Sequence, residues 1–462
     1  MLYLNQGEYM NTFIKEDQIL QLDIKRMGIN GEGIGYDQKL AIFVDHALPG
    51  ETVSVKVKEV LSNRATAELL EIIEPSPDRV QSFCPIFEKC GGCQTQHIDY
   101  QAMLIHKRDI LIKSFARYAG LIDFRKIKKT IGSSSPLNYR NKATLPVQMI
   151  KGKNTLGMYA RNSNQFIPLD ECPVQDHDLN RILKTIIKLM DAVDLPAFDP
   201  KKRSGYIRHL IVRVTKHTRK AQVTFILLKP AKNIGVLTQK LVEMEPMIKG
   251  VFEVINSNLK SIGFFTGEIH KLYGTDTIDE ELRGMTYSLR PEAFFQLNTE
   301  MADKFYLEMK RLARMKPHEI AIDAYAGIAP VSHYIHDQAK QIYAIELDQE
   351  SCESAKISLQ NNNIQNVTVL HSDFKRALSG LKEKKIDVMF FDPPRTGLGD
   401  ETIELIIKSK PSRLIYGSCN PSTLAKDLSQ LLKYYDLIEC VPIDMFPYTS
   451  LVESVSLLTI KS

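Results

Sequence analysis

The sequence predicts a multidomain chain of three parts: an N-terminal β-barrel of OB-like type, a central α+β domain, and a C-terminal Rossmann-like α/β domain. Three observations predict it. Short alternating segments with glycine punctuation fill roughly the first 75 residues, three cysteines crowd together just after them, and compact apolar runs alternate with helical stretches from about residue 300. A length of 462 residues is too great for one ordinary core, and 25% charged residues are those of a globular protein. No apolar run approaches the roughly 20 residues needed to cross a bilayer, so no membrane partner is expected. Met1 to Glu8 show no basic stretch followed by an apolar one, so no secretory leader is visible and the reducing cytoplasm is the expected compartment. There the seven cysteines read as metal ligands or nucleophiles rather than disulfides.

The first domain is expected over residues 10–78. Ile19 to Ile24 and Val53 to Val57 alternate apolar and polar residues, as half-buried strands do. Gly28 to Gly35, Ala41 to Val44 and Ala65 to Leu70 complete a series of short strands, and Pro75-Ser76-Pro77 ends it. Such small barrels bind single-stranded or looped nucleic acid, and some are only structural.

The central domain is expected over residues 79–285. Leu104, Ile105, Ile110, Leu111 and Phe115 recur at helical spacing, in a helix over about 98–120 placed to pack on the catalytic domain. Ile207 to Val214 and Ala221 to Leu228 read as paired strands. Two stretches lack acidic residues. One lies between Asp123 and Asp170 and carries nine lysines and arginines; the other runs from Pro200 to Val242 and carries eleven. A solvated basic face is the bland explanation; a phosphate-binding surface is the functional one. Cys84, Cys90 and Cys93, with Gly91-Gly92 between the last two, place three thiols within ten residues, and Cys172 is the candidate fourth. Zinc sites more often use two short pairs, so this spacing favours an iron–sulfur cluster over zinc.

The third domain is expected over residues 286–462. Its strands are Ile320–Ala324, Gln341–Ile345, Val367–Leu370, Ile386–Phe391 and Arg413–Tyr416. Ligands of such sheets bind beyond the strands' carboxyl ends, where Asp323, Glu346, Asp373 and Asp392 recur. Glu346 suits the ribose hydroxyls of an adenosine, and Asp373 its amino group. With no Gly-x-Gly-x-x-Gly to seat a pyrophosphate, S-adenosylmethionine fits best. Asp392-Pro393-Pro394 alone leaves amino-group methylation open. Gly417-Ser418-Cys419-Asn420-Pro421 points elsewhere, because a thiol at a helix N-terminus is expected to be held as a thiolate. Uracil carbon-5 becomes nucleophilic only after a thiolate adds to carbon-6. Glu453, a carboxylate in an apolar terminal strand, is the candidate base; burial would raise its pKa. Cys352 and Cys440 read as buried structural thiols.

Together these residues resemble the RNA 5-methyluridine methyltransferase family, in particular its iron–sulfur branch acting on 23S ribosomal RNA. The resemblance implies a TRAM RNA-binding barrel at the N-terminus and a class I methyltransferase domain at the C-terminus. It implies [4Fe-4S] ligands at Cys84, Cys90, Cys93 and Cys172. It also implies S-adenosylmethionine contacts at Gln296, Tyr325, Glu346 and Asp392, a nucleophile at Cys419 and a proton acceptor at Glu453. The expected enzyme is a cytoplasmic monomer whose partner is RNA, and because the ring must meet both thiolate and sulfonium its target uridine is expected to be flipped from its stack. The alternatives are methylation of a tRNA uracil, and an RNA-binding protein with a decayed methyltransferase domain. Three positions depart from the family's pattern. Ala329 replaces a glycine and would add a methyl group beside the cofactor's methionine, Pro330 follows it, and Leu451 stands where histidine is common.

Overall fold

The computed structural model describes residues 14–199, 202–258 and 263–461. The expected domain start at residue 10, the segment Met1 to Glu8, and Lys201 of the second basic run lie outside the described residues.

Five strands, Ile19–Met27, Gly33–Asp37, Leu40–Val44, Thr52–Leu61 and Arg64–Glu74, close into a barrel. The expected alternation is literal: Val53, Val55 and Val57 are fully buried, while Ser54 and Lys56 reach solvent. The inward residues meet Leu22, Ile24, Ile42 and Val44 in one core. Arg79, just past the barrel, reaches back to the buried Glu51 at 2.5 Å and to the His46 carbonyl at 2.7 Å.

The central part is a seven-stranded sheet running from Glu268–Gly274 through Ile248–Ile255, Ala221–Leu227, Ile207–Val214, Lys142–Ile150 and Lys153–Tyr159 to Phe166–Pro168. Ile207–Val214 pairs antiparallel with Ala221–Leu227, as its sequence predicts. Helices His177–Ala192 and Ile234–Met244 cover the sheet through Leu179, Ile182, Ile186, Leu237 and Leu241. The second basic run is partly neutralised here, because acids distant in sequence fold onto it. Arg219 pairs with Asp176 at 3.0 Å and Lys220 with Asp279 at 3.0 Å. Arg213 is buried, donating to the carbonyls of Arg290 and Ala293.

The C-terminal sheet has seven strands, numbered here within this sheet: β1 (Ile320–Ala324), β2 (Gln341–Glu346), β3 (Val367–His371), β4 (Val388–Phe391), β5 (Arg413–Ser418), β6 (Tyr435–Ile443) and β7 (Glu453–Ile460). Their order is β3-β2-β1-β4-β5-β7-β6. The first five are parallel; β7 runs antiparallel between β5 and β6. Helices cover both faces, as continuous apolar strands such as Val388–Phe391 require. Gly417 in β5 permits a close approach: a Cβ there would stand 2.5 Å from Met309 and 2.7 Å from Phe305 of helix Thr299–Ala313. Helix α1 (Tyr100–Ser114) packs on this domain, with Leu111 in its main core. Among the described residues no helix is long and apolar enough to cross a membrane.

Candidate active site

The sheet order reverses between β1 and β4, which opens a crevice beyond their carboxyl ends. A cavity of about 380 Å³ lies beside it, lined by Tyr325, Glu346, Leu347, Asp373, Phe374 and Pro394 among others. Its size is that of a small-molecule site. The Glu346 carboxylate accepts from the backbone N–H groups of Gly327 (2.8 Å), Leu347 (2.7 Å) and Asp348 (2.8 Å). These bonds hold it rigidly at the end of β2, with lone pairs left for hydroxyl donors. Asp373 caps the helix after β3, accepting from Arg376 N at 2.9 Å, so one of its oxygens is structural. Gln296 is not among the residues lining this cavity. It is buried in the loop before helix Thr299–Ala313, and its carbonyl accepts from Asn141 of the central domain at 3.0 Å.

The loop after β1 turns sharply, with Tyr325, Gly327 and Ala329 all in the left-handed region. The expected methyl group beside the cofactor is corrected by the structure. Ala329 is wholly inaccessible and packs with Ala326, Ala344 and Ala355 in a small alanine cluster. Its side chain serves the packing of the loop onto β2, and the cost is a non-glycine residue at φ +59°. Pro330 takes the first position of the following helix, where a missing N–H costs nothing.

The β5–β7 register brings Cys419 and Glu453 together. The antiparallel ladder ends at Ser418 opposite Ser454, so the next residues outward are Cys419 and Glu453. Parallel pairing of Phe391 with Tyr416 sets Asp392 at the same edge. Asn420 caps helix Pro421–Leu431 through Ser422 N at 3.0 Å, and with Thr423 it bonds the Arg395 carbonyl at 3.3 and 3.2 Å. The Asp392–Arg395 loop is thereby tied to the cysteine's turn.

Three acidities follow from this crowding. Burial, then the Asp392 charge, push the Glu453 carboxyl up to about 8, against the pull of Arg395 and Lys107. Burial raises Asp392 to about 6. The Cys419 thiol, expected to be lowered by its helix, is instead raised to about 11. Burial and the carboxylates of Glu453 and Asp392 outweigh Arg395 and the local backbone N–H. An arrangement of this kind can hold a thiol and a carboxyl against one face of a planar ring and pass protons between them.

A second cavity, of about 710 Å³, approaches these residues from outside. It is lined from all three parts of the chain, including Asn30 of the barrel, Gly92, Tyr159 and His209 of the central part, and Arg395 and Leu451. The loop between β6 and β7 forms its floor. That loop is held by Gln94 N and Thr95 N on the Tyr448 carbonyl (3.0 and 3.1 Å), Tyr139 Oη on the Pro447 carbonyl (3.2 Å) and Asn298 Nδ2 on the Met445 carbonyl (3.1 Å).

Cys84, Cys90, Cys93 and Cys172 are all half-buried and form no disulfide. They converge: burial pushes the Cys93 thiol up to about 12, and Cys172, Cys90 and Cys84 each push it the same way. Gly92 N–H donates to Cys90 Sγ at 3.4 Å, and backbone N–H groups of Val174 and Gln175 favour the Cys172 thiolate. Among the described residues, however, no three His, Cys, Asp or Glu side chains are set to hold a metal ion. Cys352 and Cys440 are buried, as expected of structural thiols.

Two side chains in this region were not singled out from the sequence. Arg395 opposes the proton affinity of both Cys419 and Glu453, and its place directly after Asp392-Pro393-Pro394 was the available signal. Lys107 is fully buried beneath the β6–β7 loop. Its signal was a lysine between Met103, Ile110 and Leu111, on the apolar face of a helix.

Residues 99–461 match the tRNA (uracil-5-)-methyltransferase family and residues 15–70 match the TRAM domain. An uncharacterised RNA methyltransferase of Halalkalibacterium halodurans is 37% identical over 97% of this chain and 98% of its own. One from Enterococcus faecalis is 35% identical, over 97% and 99%. The chain belongs to the tRNA (uracil-5-)-methyltransferase family and carries a TRAM domain, so its substrate is RNA. The crystal structure of Pyrococcus abyssi tRNA (uracil-54, C5)-methyltransferase with S-adenosyl-L-homocysteine has the same fold. Its TM-score is 0.75 at 23% identity, over 95% of this chain and 100% of that one.

Proposed function

We propose that this chain methylates uracil carbon-5 in 23S ribosomal RNA, as a cytoplasmic monomer, with Cys419 as nucleophile and Glu453 as proton acceptor. The observation that carries the reading is the β5–β7 register, which ends with Cys419 opposite Glu453 beside Asp392. The Cys419 thiol loses its proton to solvent, and the thiolate adds to carbon-6 of a uracil that has left its stack. The electron pair moves to carbon-5 and the carbonyl beyond it. S-adenosylmethionine, in the crevice lined by Tyr325, Glu346 and Asp373, with Asp392 at the neighbouring strand end, supplies the methyl group. Glu453 then takes the carbon-5 proton, the carbon-5–carbon-6 double bond re-forms and the cysteine leaves. A buried carboxyl with a pKa of about 8 is matched to that task near neutral pH.

The sequence spacing of Cys84, Cys90, Cys93 and Cys172 is what supports a [4Fe-4S] cluster, which they would hold as a brace for the Gly91–Thr95 segment once their side chains close from the present arrangement, in which no three are set to hold a metal ion. No step of the reaction runs through it. This cysteine set with the barrel supports ribosomal RNA. A tRNA uracil is the second reading, supported by the family's name.

The test uses 23S ribosomal RNA and tRNA transcripts containing 5-fluorouracil, with S-adenosylmethionine. Fluorine cannot be removed as a proton, so the enzyme stays covalently attached. The expected result is a denaturation-stable adduct on 23S RNA that Cys419→Ala abolishes. An adduct on tRNA alone selects the second reading; none on either refutes uracil methylation.

A further inference from the structure

Lys107 lies on α1, outside the catalytic domain's own sequence, yet its ammonium is buried against the segment that delivers Glu453. All three of its N–H donors are used. One forms an ion pair with the Asp444 carboxylate, one reaches the Phe446 carbonyl at 3.2 Å, and one the Leu451 carbonyl at 2.8 Å. Asp444 takes a further bond from Tyr100 Oη, about two turns earlier on α1, at 2.7 Å. Leu451 is two residues before Glu453. A single side chain therefore grips both ends of the β6–β7 loop.

From this geometry we infer that Lys107 is a positioning residue for the proton-removal step, fixing the Glu453 carboxyl beside Cys419. The inference rests on the proposed role of Glu453. The groups facing Glu453 are Asp392 after β4, Arg395 in the next turn, Cys419 after β5, Tyr306 of helix Thr299–Ala313, and Lys107 of α1. Burial and then Asp392 raise the carboxyl's proton affinity, and among the described residues Arg395 and Lys107 lower it. Arg395 is exposed and Lys107 is not, so Lys107 is the cation that water and salt do not screen. In the step it serves, the Glu453 carboxylate takes the carbon-5 proton. The carbon–hydrogen electron pair forms the carbon-5–carbon-6 double bond, and the carbon–sulfur pair leaves with Cys419.

Lys107→Met alone strands the Asp444 carboxylate in the interior, so Lys107→Met/Asp444→Asn, which removes both charges and keeps the Tyr100 bond, guards against misfolding. Two rates separate positioning from structure. Adduct formation on 5-fluorouracil RNA reports attack and methyl transfer, and does not need Glu453. Turnover on ordinary RNA needs it. The expected result for the double variant is adduct formation within about threefold of wild type. Turnover falls by about a hundredfold, the cost of a misplaced catalytic group. A methylated RNA–Cys419 adduct accumulates on ordinary uracil, and the acid limb of the turnover profile moves to higher pH. A proportional fall in both rates, or unchanged turnover, overturns the inference. Failure of the wild-type protein to form the fluorouracil adduct is a separate result that removes the underlying role of Glu453, and the inference with it.

Discussion

Glu453→Gln should stabilise the protein at alkaline pH while abolishing turnover. The carboxyl is 5% exposed, and its pKa is raised from 4.5 to about 8, chiefly by burial. A raised pKa means that the folded chain keeps a proton the unfolded chain has released. Stability is then fullest below pH 4.5 and is lost as pH climbs to about 8, at about 1.4 kcal/mol per pH unit, or about 5 kcal/mol across the window. Glutamine carries no such charge. The stability difference between variant and wild type should therefore grow in the variant's favour from pH 5 to pH 8 and level off above it. Asp392, raised to about 6, adds a loss of the same sign in both proteins, with which Glu453 is coupled. Denaturant unfolding of both proteins at pH 5, 6.5 and 8, followed on the catalytic domain's transition, measures the difference. Turnover on RNA, measured in parallel, should fall by about 10²–10⁴-fold. A pH-independent stability difference, or a variant less stable at pH 8 than at pH 5 relative to wild type, would refute the buried-carboxyl argument.

Other substitutions probe the elements around it. Gly417→Ala places a methyl group against Met309 and Phe305 and should cost about 1–3 kcal/mol on thermal or denaturant unfolding. Glu346→Ala leaves three backbone N–H groups of the β1 and β2 loops without their acceptor, and should raise the KM for S-adenosylmethionine by tenfold or so with a smaller change in kcat. Cys90→Ser in anaerobically purified protein should remove most bound iron and sulfide, measured chemically and by visible absorbance; full retention of both would exclude Cys90 as a ligand. Arg79→Ala leaves the buried Glu51 carboxylate unpaired, and should loosen the barrel from the cysteine segment and raise amide exchange over residues 46–51.

Much of the architecture was legible because local patterns carry it. The alternation of Val53, Val55 and Val57 announced a barrel strand, and the runs from Ile320 to Tyr416 announced a parallel sheet, since side-chain period follows directly from backbone geometry. Glu346 and Asp392 were legible for the same reason, each ending an apolar run. The electrostatics were not. The Cys419 thiol sits at a helix N-terminus, which favours the thiolate, yet Glu453 and Asp392 raise it, and neither neighbour is near it in sequence. The basic run around Arg213 to Lys220 looked free for phosphates until Asp176 and Asp279 folded onto it. Ala329 looked like an intrusion on the cofactor until its methyl group was placed among alanines.

By itself the sequence determined which residue types stand at the strand ends, that four cysteines are available as a set, and that the chain divides into barrel, middle and α/β sheet. Those properties are local, written in spacing and side-chain chemistry. Only the tertiary structure decided that Cys419 and Glu453 face one another, because a β7 strand inserted antiparallel beside β5 is a matter of register between distant segments. Only it could bury Lys107 under the β6–β7 loop, more than 330 residues away in sequence, where the low dielectric makes one ammonium count.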